Sequence, residues 1–464
     1  MQDLKQKEKK GLTEVEIREL DEKYCSWGDT THYSKCPKIF SGCQGTYMFD
    51  ENETPYLDLQ MWYASCNLGY KNKKIEDAVI NCINKMPQIA SRFLFEDKVL
   101  LASKIAKANE KRFGLKGRVH FNVGGAQAVE DALKLIRNYT GKNLLFAFMG
   151  GYHGRTIGTS GVTSSFRYRE NYGHFGDRAH FVPFPYCYRC HYGKKCEDCD
   201  FYCVKQFEKN FESEYKSFHD PATGKSEYVA FIAEPIQGTG GYIIPPIGYF
   251  KELKRVLDKF GILFIADEIQ MGFYRTGKLW SIEHFGVQPD CLTFGKSLTN
   301  GLNPLGGLWA KEELINPKIW PAGRTHSTYS SNPIGCAAGC AVMETFEEHN
   351  FEDEIKEKGK RFLEGLKCLQ KRHRTIGNVD GLGLALRIEC TKEDGFTPDK
   401  ALCDSIIEEG LKGNLEYRGQ KCGLVLNNGG YFKNVITLVP PVTISNEEID
   451  MAIELIDRLF ERQS

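Results

Sequence analysis

The sequence carries no charge excess of either sign: 61 Lys and Arg residues face 61 Asp and Glu over 464 positions, for a formal net charge of zero. Without a basic surplus there is no sequence-independent attraction to phosphate backbones or anionic lipid, which sets nucleic acid and membrane surfaces aside as partners. Long apolar runs are also missing. Stretches such as Gly261-Ile-Leu-Phe-Ile-Ala266 stop well short of the about 20 residues that cross a bilayer. The N-terminus, Met1 to Lys10, is charged and leads into no apolar core of the kind a secretory signal carries, so a cytoplasmic location is expected.

What is present fits a large globular chain. Apolar residues make up 41% and charged residues 26%, near the average for folded proteins, and the length suits two or three domains of about 100–200 residues each. Seventeen cysteines are many. In a reducing compartment they point to thiols or metal ligands rather than disulfides.

Periodicity divides the chain into three parts. Residues 1–70 hold a charged helical stretch, Leu12 to Lys23, and short alternating runs at Gly45–Asp50 and Pro55–Leu59 that read as strands. Residues 71–335 alternate helix and strand: an amphipathic Lys74–Met86, a helical Ala128–Tyr139, and apolar strands at Asn143–Phe148, Tyr228–Glu234, Gly261–Asp267 and Cys291–Phe294. That alternation predicts an α/β domain around a mainly parallel sheet, with a Cys-rich insert at 186–203. Residues 336–464 begin within an Ala- and Cys-rich helix, Ile334–His349, and continue through a charged helix, Phe351–His373; strands are expected at Gly381–Ile388, Cys422–Leu426 and Val435–Val439. These form a second, smaller α/β domain completed by the N-terminal segment.

Ligands of open parallel sheets bind beyond the carboxyl ends of the strands. There Asp267 closes one strand and Lys296 follows another, and upstream Gly124-Gly125-Ala126 opens a helix. A lysine in apolar surroundings has a lowered pKa and forms a Schiff base readily. A buried aspartate needs a cationic partner, and a glycine-opened helix N-terminus binds phosphate through backbone amides. Aldehyde, ring nitrogen and phosphate together describe pyridoxal phosphate.

From Thr46-Tyr-Met-Phe-Asp50 to Pro440-Pro441 the chain resembles the class III pyridoxal-phosphate-dependent aminotransferases of fold type I. The resemblance rests on Gly125-Ala-Gln-Ala-Val-Glu-Asp-Ala132, Gly151-Tyr-His-Gly-Arg-Thr156, Glu234-Pro-Ile-Gln-Gly238, Ala266-Asp-Glu-Ile-Gln270, Arg275-Thr-Gly277, Thr293-Phe-Gly-Lys296 and Thr328-Tyr-Ser-Ser-Asn-Pro333. It implies that Lys296 holds the cofactor as a Schiff base and then serves as base and acid, while Asp267 keeps the pyridine nitrogen protonated. It implies that Gln270 bonds the ring oxygen, Ile269 and Tyr152 cover the ring faces, and the amides of Gly125 and Ala126 hold the phosphate. Thr328 reaches in from a partner subunit, so a homodimer, with dimers free to pair into a tetramer, is implied. The family usually has a hydroxyl residue where Ala126 stands, so one phosphate contact is lost.

For substrate, the resemblance implies that Arg155 binds a distal carboxylate or sulfonate and that Trp62 and Tyr63 line the pocket. Relatives use a Glu and an Arg for the α-carboxylate of glutamate where this chain has Thr239 and Thr437. Losing both is electrostatically consistent and puts 2-oxoglutarate in doubt as acceptor, with pyruvate in its place, or Arg418 or Lys433 as substitutes. The expected activity moves the amino group of an ω-amino acid or related amine (4-aminobutyrate, β-alanine, taurine or a diamino acid) to a 2-oxo acid; the alternative is an amino-acid racemase or epimerase of the same fold. No metal belongs to that chemistry. Cys187, Cys190, Cys196, Cys199 and Cys203 have two Cys-x-x-Cys spacings, with a 191–195 spacer shorter than a usual zinc ribbon has; zinc, an iron–sulfur cluster and free thiols all remain open.

Overall fold

In the computed structural model, residues 11–26, 28, 37–172, 178–216 and 218–463 are described; the charged Met1–Lys10 stretch lies outside them. Seven strands build the central sheet in the spatial order Gly117–Asn122, Gly306–Lys311, Cys291–Phe294, Leu263–Asp267, Tyr228–Ala233, Leu144–Phe148 and His180–Val182. The strands from Cys291–Phe294 to His180–Val182 pair in parallel, whereas Gly306–Lys311 runs antiparallel to both its neighbours. Most of these strands read as unbroken apolar runs because helices cover both faces. The helix Gly125–Thr140 buries Val129, Ala132, Leu133 and Ile136, and Tyr249–Lys259 buries Tyr249, Phe250, Leu253, Val256 and Leu257, the spacing of a single apolar stripe.

The N-terminal strands do not stand alone. Gly42–Gln44, Tyr47–Phe49 and Pro55–Asp58 continue into Gln420–Val425 and Leu415–Tyr417, so both ends of the chain share one five-stranded sheet. Pro55–Asp58 runs parallel to Gln420–Val425, with Tyr56 opposite Gly423. A Cβ on Gly423 would lie 2.1 Å from the Tyr56 ring, so glycine there lets the aromatic ring lie flat on the partner strand.

Two differences from the sequence reading stand out. The single strand expected over Gly381–Ile388 is a hairpin, Ile376–Leu382 paired with Ala385–Cys390. It turns at Gly383, φ +57°, because the backbone at Thr276 leaves no space for a side chain there: a Cβ would meet the Thr276 carbonyl carbon at 2.4 Å. The helix Glu96–Phe113 is not marked by the sequence pattern. It buries only Leu101, Ile105, Asn109 and Phe113, too thin a stripe among charged residues to mark it. Among the described residues no helix is long and apolar enough to cross a membrane.

Arg275 ties the N-terminal segment and the C-terminal part to the central layer. Its guanidinium is fully buried and donates to the Asn67 side chain, the Pro440 carbonyl and, at 3.4 Å, the Leu384 carbonyl. No carboxylate takes part in these bonds, and burial lowers its pKa to about 10. Replacing Arg275 with methionine leaves these acceptors unsatisfied, and a loss of about 3 kcal/mol is expected in urea unfolding of the variant. A loss below about 0.5 kcal/mol would show that Arg275 is not the tie between these parts.

Candidate active site

Because the central strands are parallel, their carboxyl ends open on one edge, and three ionisable groups gather there. Asp267 ends Leu263–Asp267, Glu234 follows Tyr228–Ala233, and Lys296 comes one residue after Gly295 at the end of Cys291–Phe294. Lys296 has a left-handed backbone, φ +41°, a strained setting for a residue with a side chain. Burial drives its pKa down to about 8, against the opposing pull of Glu234 and Asp267.

The two carboxylates differ in their partners. Asp267 Oδ2 lies 2.7 Å from His153 Nδ1, and its Oδ1 accepts from the Ile269 amide at 3.1 Å and from Thr293 Oγ1 at 3.2 Å. Glu234 accepts from the amides of Tyr152 and Gly238, each at 2.9 Å, and burial raises its pKa to about 7, with His153 pulling the other way. His153 is buried, and among the described residues its Nε2 has no hydrogen-bond partner. The neighbouring Glu268, also buried, faces inward and accepts from Ser281 and Ile282. It is a structural cap.

Gly125 and Ala126 open the helix Gly125–Thr140 with no side chain capping it, so its first amides are free for an anion. Ile269 packs against this end, where a Cβ on Gly125 would come within 3.0 Å of Ile269 Cγ2. Ala126 in turn packs against Gly154, whose φ of +128° and 2.8 Å virtual contact with Ala126 Cβ leave little space for a larger side chain. The missing hydroxyl at 126 therefore matches a close approach of the Tyr152-His-Gly-Arg155 loop. The amine, the bonded aspartate and the uncapped helix end fit the aldehyde, ring nitrogen and phosphate of pyridoxal phosphate.

Trp62 and Tyr63 sit in an unusual turn. Met61, Trp62, Tyr63 and Ala64 all have positive φ, from +45° to +65°, where each residue costs about 1–2 kcal/mol. The turn is fastened to the site: Ser297 Oγ donates to the Ala64 carbonyl at 2.8 Å and Gln270 Nε2 to the Tyr63 carbonyl at 3.3 Å. Trp62 is exposed, with its ring against Gly301.

Tyr152 is half-buried and meets Tyr168 edge to face at 5.3 Å. The Arg155 guanidinium lies 4.3 Å from the Tyr168 ring centre and 5.9 Å from that of Tyr152. Its partners among the described residues are these two tyrosines, through their rings and through side-chain hydrogen bonds; none is a carboxylate, so its charge is left for an incoming acid group. Lys433 is in electrostatic reach of Arg155 and Arg167, and burial together with these like charges lowers its pKa. Arg418 is exposed on the Tyr417–Gln420 hairpin turn, over the Tyr417 ring. Thr239 and Thr437 flank Gly429 from two sides, and Thr437 Oγ1 accepts from Asn427 at 3.1 Å. Thr328 is exposed on the turn before the helix Pro333–Glu348, and among the described hydrogen bonds it joins none of these residues.

Two functional residues carried no role in the sequence reading. Glu234 ends an apolar strand as Asp267 does, and that signal was available. His153 stood inside a matched motif, but nothing local shows that its ring reaches Asp267.

The sequence profile of the family described as Aminotransferase class-III matches residues 31–460. Among curated relatives, a leucine/methionine racemase of Thermococcus litoralis is 31% identical over 91% of this chain and 90% of its own. A 5-aminovalerate aminotransferase of Pseudomonas putida is 31% identical over 91% and 93%. An amine transaminase from an uncultivated Pseudomonas species, solved in its pyridoxal-phosphate-bound form, superposes with a TM-score of 0.84 at 26% identity, covering 95% of this chain and 99% of that one.

The charge balance around Lys296 has a measurable consequence. In cofactor-stripped protein, labelling of Lys296 by trinitrobenzenesulfonate should rise with pH through a midpoint near 8, because only the neutral amine reacts. Glu234 holds that midpoint up, so Glu234→Gln should move it to lower pH; a midpoint that stays or rises would show that Glu234 does not act on the lysine.

Proposed function

The chain belongs to the class-III aminotransferase family, and from that premise we propose that this pyridoxal-phosphate-dependent enzyme moves the amino group of an ω-amino acid or related amine to a 2-oxo acid. The observation that carries the substrate class is Arg155, a cation at the mouth of the site with aromatic rather than acidic partners. When bound, the cofactor supplies an aldehyde for the amine and a protonated ring that takes up the electrons released with the substrate's C–H proton.

The protein supplies the rest. Lys296, with its pKa near 8, is neutral in a useful fraction near physiological pH, so its Nζ takes the proton from the substrate carbon and returns it one position away. Asp267, held by His153 and Thr293, presents a carboxylate to the ring N–H and keeps that proton in place. Gly125 and Ala126 hold the phosphate, Thr328 of a second copy completes that contact, and the unit is a homodimer. Ile269, Tyr152 and Gln270 would hold the cofactor ring. Arg155 clamps the distal acid of the donor, and Trp62 and Tyr63 bound the pocket it enters. With threonines at 239 and 437 the Glu and Arg that relatives use for the α-carboxylate of glutamate are both absent from those positions, which favours pyruvate over 2-oxoglutarate as acceptor. The similarity to a racemase supports a second reading, in which Lys296 takes the proton and one returns to the same carbon from the other face.

Mixing purified holoenzyme with single amines and no acceptor separates the two. Loss of the long-wavelength cofactor band with 4-aminobutyrate, 5-aminovalerate or taurine identifies a transaminase and its donor class. A persistent band with solvent deuterium entering an apolar amino acid identifies a racemase. Lys296→Ala should lower turnover by at least about 10³-fold. Arg155→Ala should raise KM for acid-bearing donors by about 10- to 100-fold while leaving simple amines nearly unchanged; equal effects on both would reduce Arg155 to a structural role.

A further inference from the structure

Cations crowd one side of the site with no acid to answer them. The guanidiniums of Arg155 and Arg167 share the Tyr168 ring, lying 4.3 and 5.7 Å from its centre. Lys433 is half-buried and close enough that both arginines repel its ammonium; Lys400 repels it as well, and the Cys403 thiol pulls the other way. Lys400 is itself paired with Asp404. Among the described residues no carboxylate forms an ion pair with Arg155, Arg167 or Lys433. Like charges gathered at a half-buried place are costly until an anion joins them.

The turn that carries Lys433 is fixed to the wall of the site. The Gly430 amide donates to the Thr239 carbonyl at 3.0 Å, and the Lys433 amide closes the turn on the Gly430 carbonyl at 3.1 Å. Between them Tyr431 lies against Gly150, where a Cβ would come within 2.1 Å of its ring. The Tyr431 hydroxyl stands 3.1 Å from the Met149 carbonyl oxygen and 2.9 Å from Gln237 Oε1. Gly150 directly precedes the Gly151–Thr156 stretch that holds Tyr152 and Arg155, so the turn rests on the segment that presents Arg155. On its other flank the buried Asn434 donates to the Cys390 carbonyl at 2.7 Å. Both sides of Lys433 are therefore held, and its place beside Arg155 follows from the packing of the turn.

We propose that Lys433 determines substrate choice: with Arg155 it forms a two-cation clamp for the acid group, carboxylate or sulfonate, of the substrate. The inference rests on the reading of Arg155 as the acid-binding residue and adds a second charge from a different segment of the chain. The planar guanidinium fork takes two oxygens, and the ammonium, a point charge on a flexible stem, takes a lone pair that the fork leaves over. Arg167, exposed beside Tyr168, adds attraction at the rim.

Calorimetric titration of the holoenzyme with butyrate and with propane-1-sulfonate, acids that carry no amine, reads the clamp apart from turnover. Lys433→Met should raise Kd for both acids about 10-fold and flatten its rise with ionic strength, whereas Lys433→Arg should stay within about 2-fold of the wild type. Weaker binding that keeps the wild-type salt dependence would overturn the proposal, because a merely structural loss leaves the charge attraction intact. A wild-type Kd in Lys433→Met together with weakened binding in Arg155→Ala overturns it too, and leaves the reading of Arg155 standing. Unchanged Kd in both variants, or no binding to the wild type, overturns both. If Lys433→Met fails to fold, Lys433→Gln is held to the same outcomes.

Discussion

One ammonium and two carboxylates share a floor from which water is largely removed, and most of the site is arranged to make that tolerable. Desolvation pushes Lys296 toward its neutral form, whereas the negative charges of Glu234 and Asp267 pull it back toward the charged one. Neither carboxylate is left bare: backbone amides hold Glu234, and His153 and Thr293 hold Asp267. The balance places the lysine near the pH at which a proton carrier is most effective. It exists because Tyr228–Ala233, Leu263–Asp267 and Cys291–Phe294 are parallel neighbours, so that all three deliver their next polar residue to the same edge.

The surrounding structure is strained where it meets this floor and locked where it leaves it. Lys296 and the four residues Met61–Ala64 occupy left-handed backbone, and hydrogen bonds from Ser297 and Gln270 hold the two strained segments together. A neighbouring buried arginine, Arg275, fastens Asn67 and Pro440 to the same layer. The N-terminal turn that carries Trp62 and Tyr63 is thus positioned by contacts to residues more than two hundred positions away. Local preference alone disfavours it.

Much of the fold was legible because its signals are local. Apolar runs closed by polar residues marked the strands, and amphipathic stripes marked the helices at 74–86 and 128–139. The helix Glu96–Phe113 was missed because its buried stripe is one residue per turn, and the Gly381–Ile388 run was read as one strand because nothing in its composition shows the Thr276 backbone that forces a turn at Gly383. At the site, Lys296, Asp267 and the Gly125–Ala126 helix start were visible as strand ends and a glycine turn. The role of His153 was not, since reaching another strand's carboxylate leaves no mark in its own neighbourhood; Glu234 shared the strand-end signal of Asp267, but nothing local shows that it acts on Lys296.

The amino-acid order by itself determined which chemistry was on offer: an amine, an acid and a phosphate-binding turn in a soluble-type composition, because residue type and strand-end position suffice to name those groups. It did not show what separates Asp267 from the adjacent Glu268. Alternation along the strand sends one to the open edge and the other into the core, and only the packed sheet shows that Asp267 meets His153 while Glu268 caps Ser281 and Ile282. Likewise the cysteine spacing left zinc, cluster and free thiol open. That all five line one cavity beside Tyr249 arises from the way the insert folds, a contact between segments that no local pattern encodes.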